Sequence, residues 1–543
     1  MKDSSPSHGV LDRRSLLKYV GVGTAVGLAG CSGGGTGEDD PNGSGDGGGG
    51  GGQELYFAQE KGPLDFDPIV LNDVPSAQIV GQMFEGLYAY NEDATGIEPQ
   101  LASMDEPEIE NDGQRYTVEI DENATFHNGD PVTAEDVAYS FIAPLEEETE
   151  NAGEVDMIES VEAIDEQTVQ FDLTYPFGAF EFTLIRNVVP ESVREEDPDA
   201  FNHENPVGSG PFQFAEWQEG EYTRIERYDD YWGENAAELD FVEFRGVEEQ
   251  STRVTTLQTG ENDVIETIPP QLYDQVEGMD DVEIDEEPGI GYFYLAFNCG
   301  EGPTADPQVR EAVDYCFSMD QEVANYVEPA GVRQYSPFPQ SIVEGWEFPT
   351  DEWEQIPHDR DIEQAQQLFE EAGVPSDYDW RIIVPPDDMR EQIGTGVGNG
   401  LQEAGFDNVE VQRLDWGAFT EAYLSGDEGD YNMYTLGWAG SPDPEAFTYY
   451  MFAQENEGVT QGTYYRNDEV DQQIVDARQS VDREERRQLY IDSTTTILED
   501  RVHLPAYNLL NAYAYKDNVS GYQSHPASQV IPLAESYATT SME

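Results

Sequence analysis

Lysine is almost missing from this chain: Lys2, Lys18, Lys61 and Lys516 are the only four in 543 residues. Lysine and arginine together number 25 against 114 aspartates and glutamates, a formal net charge of −89. A surface this negative repels phosphate, so nucleic acid is excluded as a partner. Long apolar runs are missing too. None reaches the ~20 residues that a membrane-spanning helix needs, which excludes a multi-pass membrane protein. Three cysteines, Cys31, Cys299 and Cys316, are too few for a disulfide scaffold. The histidines, among them His127, His358 and His503, form no H-E-x-x-H pair and no local cluster with cysteine. G-x-x-x-x-G-K-[ST] does not occur. No catalytic residue, cofactor or metal ligand is therefore expected.

What is present is enough apolar material to fold. Hydrophobic residues make up 38% and aromatics 11%, with 30 Tyr and 24 Phe. The length allows two to four domains. The carboxylates are spread along the chain rather than gathered in repeats, which points to an extreme-salt environment rather than to cation storage. At molar salt the Debye length falls to roughly 3 Å, and most of the self-repulsion disappears.

The first residues read as an address. Arg13-Arg14-Ser15-Leu16-Leu17-Lys18 is a twin-arginine pattern, and the apolar stretch from Tyr19 to Gly30 is too short to span a bilayer. Leu28-Ala29-Gly30-Cys31 resembles a lipobox, which makes Cys31 the expected lipidation site and 1–30 a signal peptide. Residues 31–53 then form a Gly-rich tether whose root-mean-square reach is roughly 25 Å.

Strand-like and helix-like patterns alternate beyond it, so the class is α/β or α+β. Residues 116–120 alternate as a half-buried strand. Thr133 followed by acids starts a helix. Asp306-Pro307 starts another, with Val309, Ala312, Val313, Cys316 and Phe317 on one face. The stretch from Gly394 to Gly400 superficially resembles a dinucleotide loop, but Asn399 stands where the third glycine belongs, so it reads as the start or loosening of a helix. Cys299 and Cys316 read as buried free thiols, with a disulfide as the alternative in an exported protein.

Several segments, in order, carry a resemblance. They are Leu64-Asp65-Phe66-Asp67-Pro68, Phe84-Glu85-Gly86-Leu87, the run from Phe126 to Val137, and Gly208-Ser209-Gly210-Pro211-Phe212. Tyr231-Trp232-Gly233, Gly437-Trp438 with Pro442-Asp443-Pro444, and the run from Asp482 to Arg486 complete the series. From about residue 54 onward the chain resembles the dipeptide, oligopeptide and nickel family of extracytoplasmic solute-binding proteins that serve ABC importers.

That resemblance implies an α/β fold of the two-lobed periplasmic-binding-protein type II, with an extra subdomain and a ligand cleft between the lobes. Lobe I would comprise 54–97, 205–289 and 500–543, the inserted subdomain 98–204, and lobe II 290–499. Pro288-Gly289 and the 500–504 stretch would be the crossovers. The implied partners are a small solute, membrane permease subunits with cytoplasmic ATPases, and the membrane itself through the lipid anchor on the outer face.

The resemblance also carries over cleft positions: Glu85, Tyr292, Tyr294, Trp416, Trp438 and Tyr507, each with ordinary core as the alternative. Peptide binders of the family place an aspartate for the ligand's α-ammonium three residues after the Gly-Trp tryptophan. Here that position is Ser441, so Asp443 is the substitute to consider. Arg390 is a candidate carboxylate partner. A di- or oligopeptide leads as ligand. Oligosaccharide competes, because sugars stack on Trp and Tyr without an ion pair, and nickel or haem follows. A surface hydrolase and a solute sensor on the same fold are the readings from other classes.

Overall fold

The computed structural model describes residues 53–543; the expected signal peptide, Cys31 and the expected tether up to Gly52 lie outside the described residues. One sheet of twelve strands runs through both lobes. Its first half holds β1 (Glu54–Gln59), β2 (Phe212–Gln218), β3 (Tyr222–Arg227), β4 (Phe241–Gly246), β5 (Val264–Glu266) and β6 (Val282–Pro288). Its second half holds β7 (Gly291–Phe297), β8 (Gly331–Arg333), β9 (Trp380–Val384), β10 (Val409–Arg413) and β11 (Met433–Ala439). The 14-residue β12 (His503–Lys516) belongs to both. The order is β10-β9-β11-β7-β12-β5-β1-β4-β3-β2, and β6 and β8 also pair with β12.

The partner changes of β12 divide the molecule. Its first residues pair with β7, from His503 opposite Ala296 to Tyr507 opposite Phe293. Its later residues pair with β6, from Leu510 opposite Pro288 to Lys516 opposite Val282. One change of partner thus falls at 288–291, and the other inside β12 between Tyr507 and Leu510, beyond the 500–504 stretch. Asn508 stitches the two together: its side-chain amide donates to the carbonyls of Gly289 (2.8 Å) and Gly291 (2.6 Å).

A smaller antiparallel sheet sits on the first half. It is built from 108–110, 115–119, 168–173 and 158–163, in that order. Tyr116 and Val118, then Val169, Phe171 and Leu173, point alternately inward and form its buried face. The helix Ala134–Glu146 covers that face, with the Phe141 and Phe171 rings 4.9 Å apart. Thr133 and Asp136 close the helix start reciprocally in a capping box.

Two local readings change. The helix from Pro307 ends at Asp314, so Cys316 and Phe317 lie beyond it, although both are buried. The glycines at 394–400 neither start nor loosen a helix. They lie inside α1 (Asp388–Glu403), where a Cβ at Gly400 would run into the Cys316 carbonyl and one at Gly394 into Val384. Their missing side chains let α1 lie close against β9. Cys299 and Cys316 are both free thiols. Among the described residues no helix is long and apolar enough to cross a membrane.

Candidate functional site

Three parallel strands of the second half end on the same side. β9 pairs in parallel with β10 and with β11, so Val384, Arg413 and Ala439 mark one edge. A helix begins directly after each: α1, α2 (Trp416–Tyr423) and α3 (Pro444–Phe452). Asp387, Asp415 and Asp443 cap them, each accepting a backbone N–H. The antiparallel β7 starts at this edge, with Gly291 opposite Ala439, immediately after the chain crosses from the first half. The carboxyl ends of parallel strands are where α/β sheets open a crevice.

Arg390, Trp416 and Tyr507 come together on one face of this edge. Phe293 joins them, its ring stacked on Tyr507 at 4.6 Å with the planes 5° apart. The Arg390 guanidinium lies 5.4 Å from the Phe293 ring centre and 5.2 Å from that of Trp416. Arg390 is buried, and its Nε reaches Asp387 at 3.2 Å without hydrogen-bond geometry. Its Nε and Nη2 and the buried Tyr507 hydroxyl have no hydrogen-bond partner among the described residues. Burial, with Asp387 adding to it, pushes the Tyr507 hydroxyl above its ordinary range. Such groups cost stability unless something arrives to bond them.

Trp438 lies on the opposite face. It is half-buried, its indole N–H donates to the Ala446 carbonyl at 2.8 Å, and its ring stacks on Tyr450. Tyr292 and Tyr294 share this face but lie in the core. Tyr294 stacks on His503 at 4.0 Å and on Tyr292 at 4.9 Å. Burial holds the His503 imidazole well below its ordinary pKa. Ser441 is half-buried on the turn into α3. Asp443 is fully buried and accepts from the Glu445 N–H at 2.8 Å and from Arg486 Nη2 at 2.6 Å. Its carboxylate is therefore engaged by the chain's own cation.

Glu85 stands apart from both groups. It is buried in the first half, accepting from the Tyr231 hydroxyl at 2.7 Å and from the Trp232 indole at 3.0 Å. Burial raises its pKa to about 7, against the pull of those donors. His127 ties two loops of the same half together, with Nε2 3.0 Å from the Gly210 carbonyl, and burial lowers its pKa to about 4.

The lobes also touch away from β12. The Gly178 N–H donates to the Arg478 carbonyl at 2.8 Å, and the Gly178 carbonyl accepts from Arg486 Nη1 at 2.8 Å. A Cβ at Gly178 would run into the Ser480 carbonyl and the Arg486 guanidinium. Arg478, on α4 (Asp468–Gln479), donates to the Tyr175 hydroxyl at 3.1 Å. Arg486 lies on α5 (Arg483–Glu499). Phe293, Arg478 and Gly178 were not legible as site residues. Arg486 belongs to the 482–486 segment, which was visible only as part of an ordered series.

Comparison with known proteins agrees with this layout. The oligopeptide-binding protein AppA of Bacillus subtilis is 27% identical over 484 residues, covering 82% of this chain and 87% of AppA. The glutathione-binding protein GsiB of Pectobacterium atrosepticum is 25% identical over 477 residues, covering 83% and 88%. Among solved structures, the periplasmic binding protein DppA of Helicobacter pylori, in complex with the peptide STSA, superposes with a TM-score of 0.71. It is 24% identical and covers 91% of this chain and 98% of DppA. The sequence model for family 5 of the bacterial extracellular solute-binding proteins matches residues 96–458, about two thirds of the chain. With its mixed α/β sheet and two lobes, the chain belongs to family 5 of the bacterial extracellular solute-binding proteins.

Proposed function

We propose that this protein is the extracytoplasmic substrate-binding component of an ABC importer. It captures a short peptide between its lobes, does no chemistry on it, and delivers it to a membrane permease driven by cytoplasmic ATPases. Cys31 would carry the lipid that holds it at the outer face of the membrane. The observation that carries the reading is the set of buried donors at the strand ends that make no hydrogen bond, Arg390 Nη2 and the Tyr507 hydroxyl, with Arg390 Nε misaligned on Asp387 beside them. They suit a carboxylate, which accepts several hydrogen bonds at once. The flanking rings of Phe293 and Trp416 add apolar area at low entropy cost.

The relatives named for oligopeptide and glutathione binding support the same class of ligand. Closure follows if the ligand bonds both lobes more fully in the shut form, since only differential affinity shifts the population.

The test is a tryptophan-fluorescence titration in molar KCl with pools of di- to pentapeptides. A saturable change, lost in Arg390→Ala, is expected. A saturable response to oligosaccharides with none to peptides would contradict the peptide reading.

A further inference from the structure

We propose that the end of the ligand lying at Trp438 is uncharged, so that the protein takes peptides whose amino end is blocked by acylation or cyclisation. This rests on the peptide reading above and names the class of peptide. Around Trp438 each buried carboxylate is already held by a buried guanidinium of the chain. Asp443 pairs with Arg486 at 2.6 Å, and Glu445 pairs with Arg478 at 3.3 Å. All four side chains are less than a tenth exposed. Glu181 and Asp156 approach from the other lobe, and their principal cationic neighbours are Arg486 and Arg478 respectively.

The aromatic faces that would cradle an ammonium are also taken. The Arg478 guanidinium lies 3.6 Å from the ring centre of Tyr449, 5.2 Å from Phe177 and 5.7 Å from Tyr175. That is a cation–π cage filled from within. A ligand ammonium entering here would meet two buried guanidinium groups, and Ser441 offers no counter-charge to it.

The atoms left open are matched in kind. Asp443 Oδ2 is a buried acceptor and Arg478 Nη1 a buried donor without a hydrogen-bond partner among the described residues, whereas Glu445 Oε1 and Arg478 Nε face each other at 3.3 Å in the ion pair. An amide brings one N–H and one C=O and can serve one of each. A free ammonium brings donors alone and leaves the guanidinium donor unserved. Burial pushes the carboxyl groups of Glu445, Glu181 and Asp156 above their ordinary range, which weakens their pull on an added cation.

The experiment is a calorimetric titration of the whole protein in molar KCl. The probes are matched pools of tri- to pentapeptides, identical except for a free or an acetylated amino end. The acetylated pool is expected to bind at least tenfold more tightly. Equal binding, or tighter binding of the free-amine pool, would overturn this inference and leave the peptide reading standing. Binding of neither pool would overturn both, because the Arg390 end accepts either form.

Discussion

Two groups of side chains stand at the same edge of the sheet, on opposite faces, and their charges are closed in different ways. In the Arg390 group, the buried guanidinium pairs with Asp387, while its Nη2 and the Tyr507 hydroxyl keep donors without a hydrogen-bond partner among the described residues. In the Trp438 group, two arginines are matched to Asp443 and Glu445 and reach on to Gly178 in the other lobe. The first arrangement stores binding capacity for something that arrives. The second spends its charge on the chain itself and on the contact between lobes. On the proposed reading, holding the guest and shutting the lobes fall to different faces of one sheet.

Substitutions can break that division or sharpen it. Arg390→Ala should have the largest effect, weakening binding about 100-fold, since a hydrogen bond to a charged group contributes about 1.5–3 kcal/mol and more than one is lost. Arg390→Lys should recover little, because an ammonium cannot replace two fork-shaped donors between two rings. Both are read by calorimetry, and neither should change the radius of gyration of the ligand-free protein. Gly178→Ala should do the reverse. The added methyl group collides with the Ser480 carbonyl and Arg486, so the lobes stay apart. A larger radius by small-angle X-ray scattering, with binding weakened about tenfold, is expected.

Tyr507→Phe is milder. It removes one neutral donor and keeps the stack on Phe293, so a loss of about threefold to tenfold is expected. The smallest effect belongs to the first half of the sheet and leaves binding alone. Burial raises Glu85, Glu266 and Glu535 to about 7. A carboxyl whose pKa is raised on folding takes up a proton as the chain folds, so its contribution falls as pH rises from the unfolded value through 7. His127, His503 and His525 are lowered and act in the opposite sense below about pH 6.5. Between pH 6.5 and 8 the carboxyl groups outweigh the histidines, whose unfolded rings lose their last protons there, and the melting temperature should fall with rising pH. Glu85→Gln should make that slope shallower, read as a smaller loss of melting temperature between pH 6.5 and 8.

What could be read from the sequence was mainly local. The start at Thr133 follows from a hydroxyl with an acid three residues on, and the start at Asp306 from a cap followed by proline, signals confined to one turn. The ordered motifs were enough for the family and its two lobes. They did not reveal which face a residue takes. Tyr292 and Trp438 share one face because they are opposite each other in register, while Phe293, next in sequence, turns to Arg390. Asp443 and Arg486 are 43 residues apart and on different helices, so no spacing rule pairs them. The partner change inside β12 was equally hidden, since a strand that passes from one lobe to the next without a break needs neither glycine nor proline at the border.

The central claim is that a small guest is gripped at the strand ends by Arg390 and Tyr507. Native mass spectrometry reaches it most directly, with protein purified from its producing cells in molar salt and exchanged quickly into ammonium acetate. The wild-type protein should carry a bound species of peptide mass, and Arg390→Ala prepared in the same way should carry none. The same adduct at the same occupancy on Arg390→Ala would contradict the account.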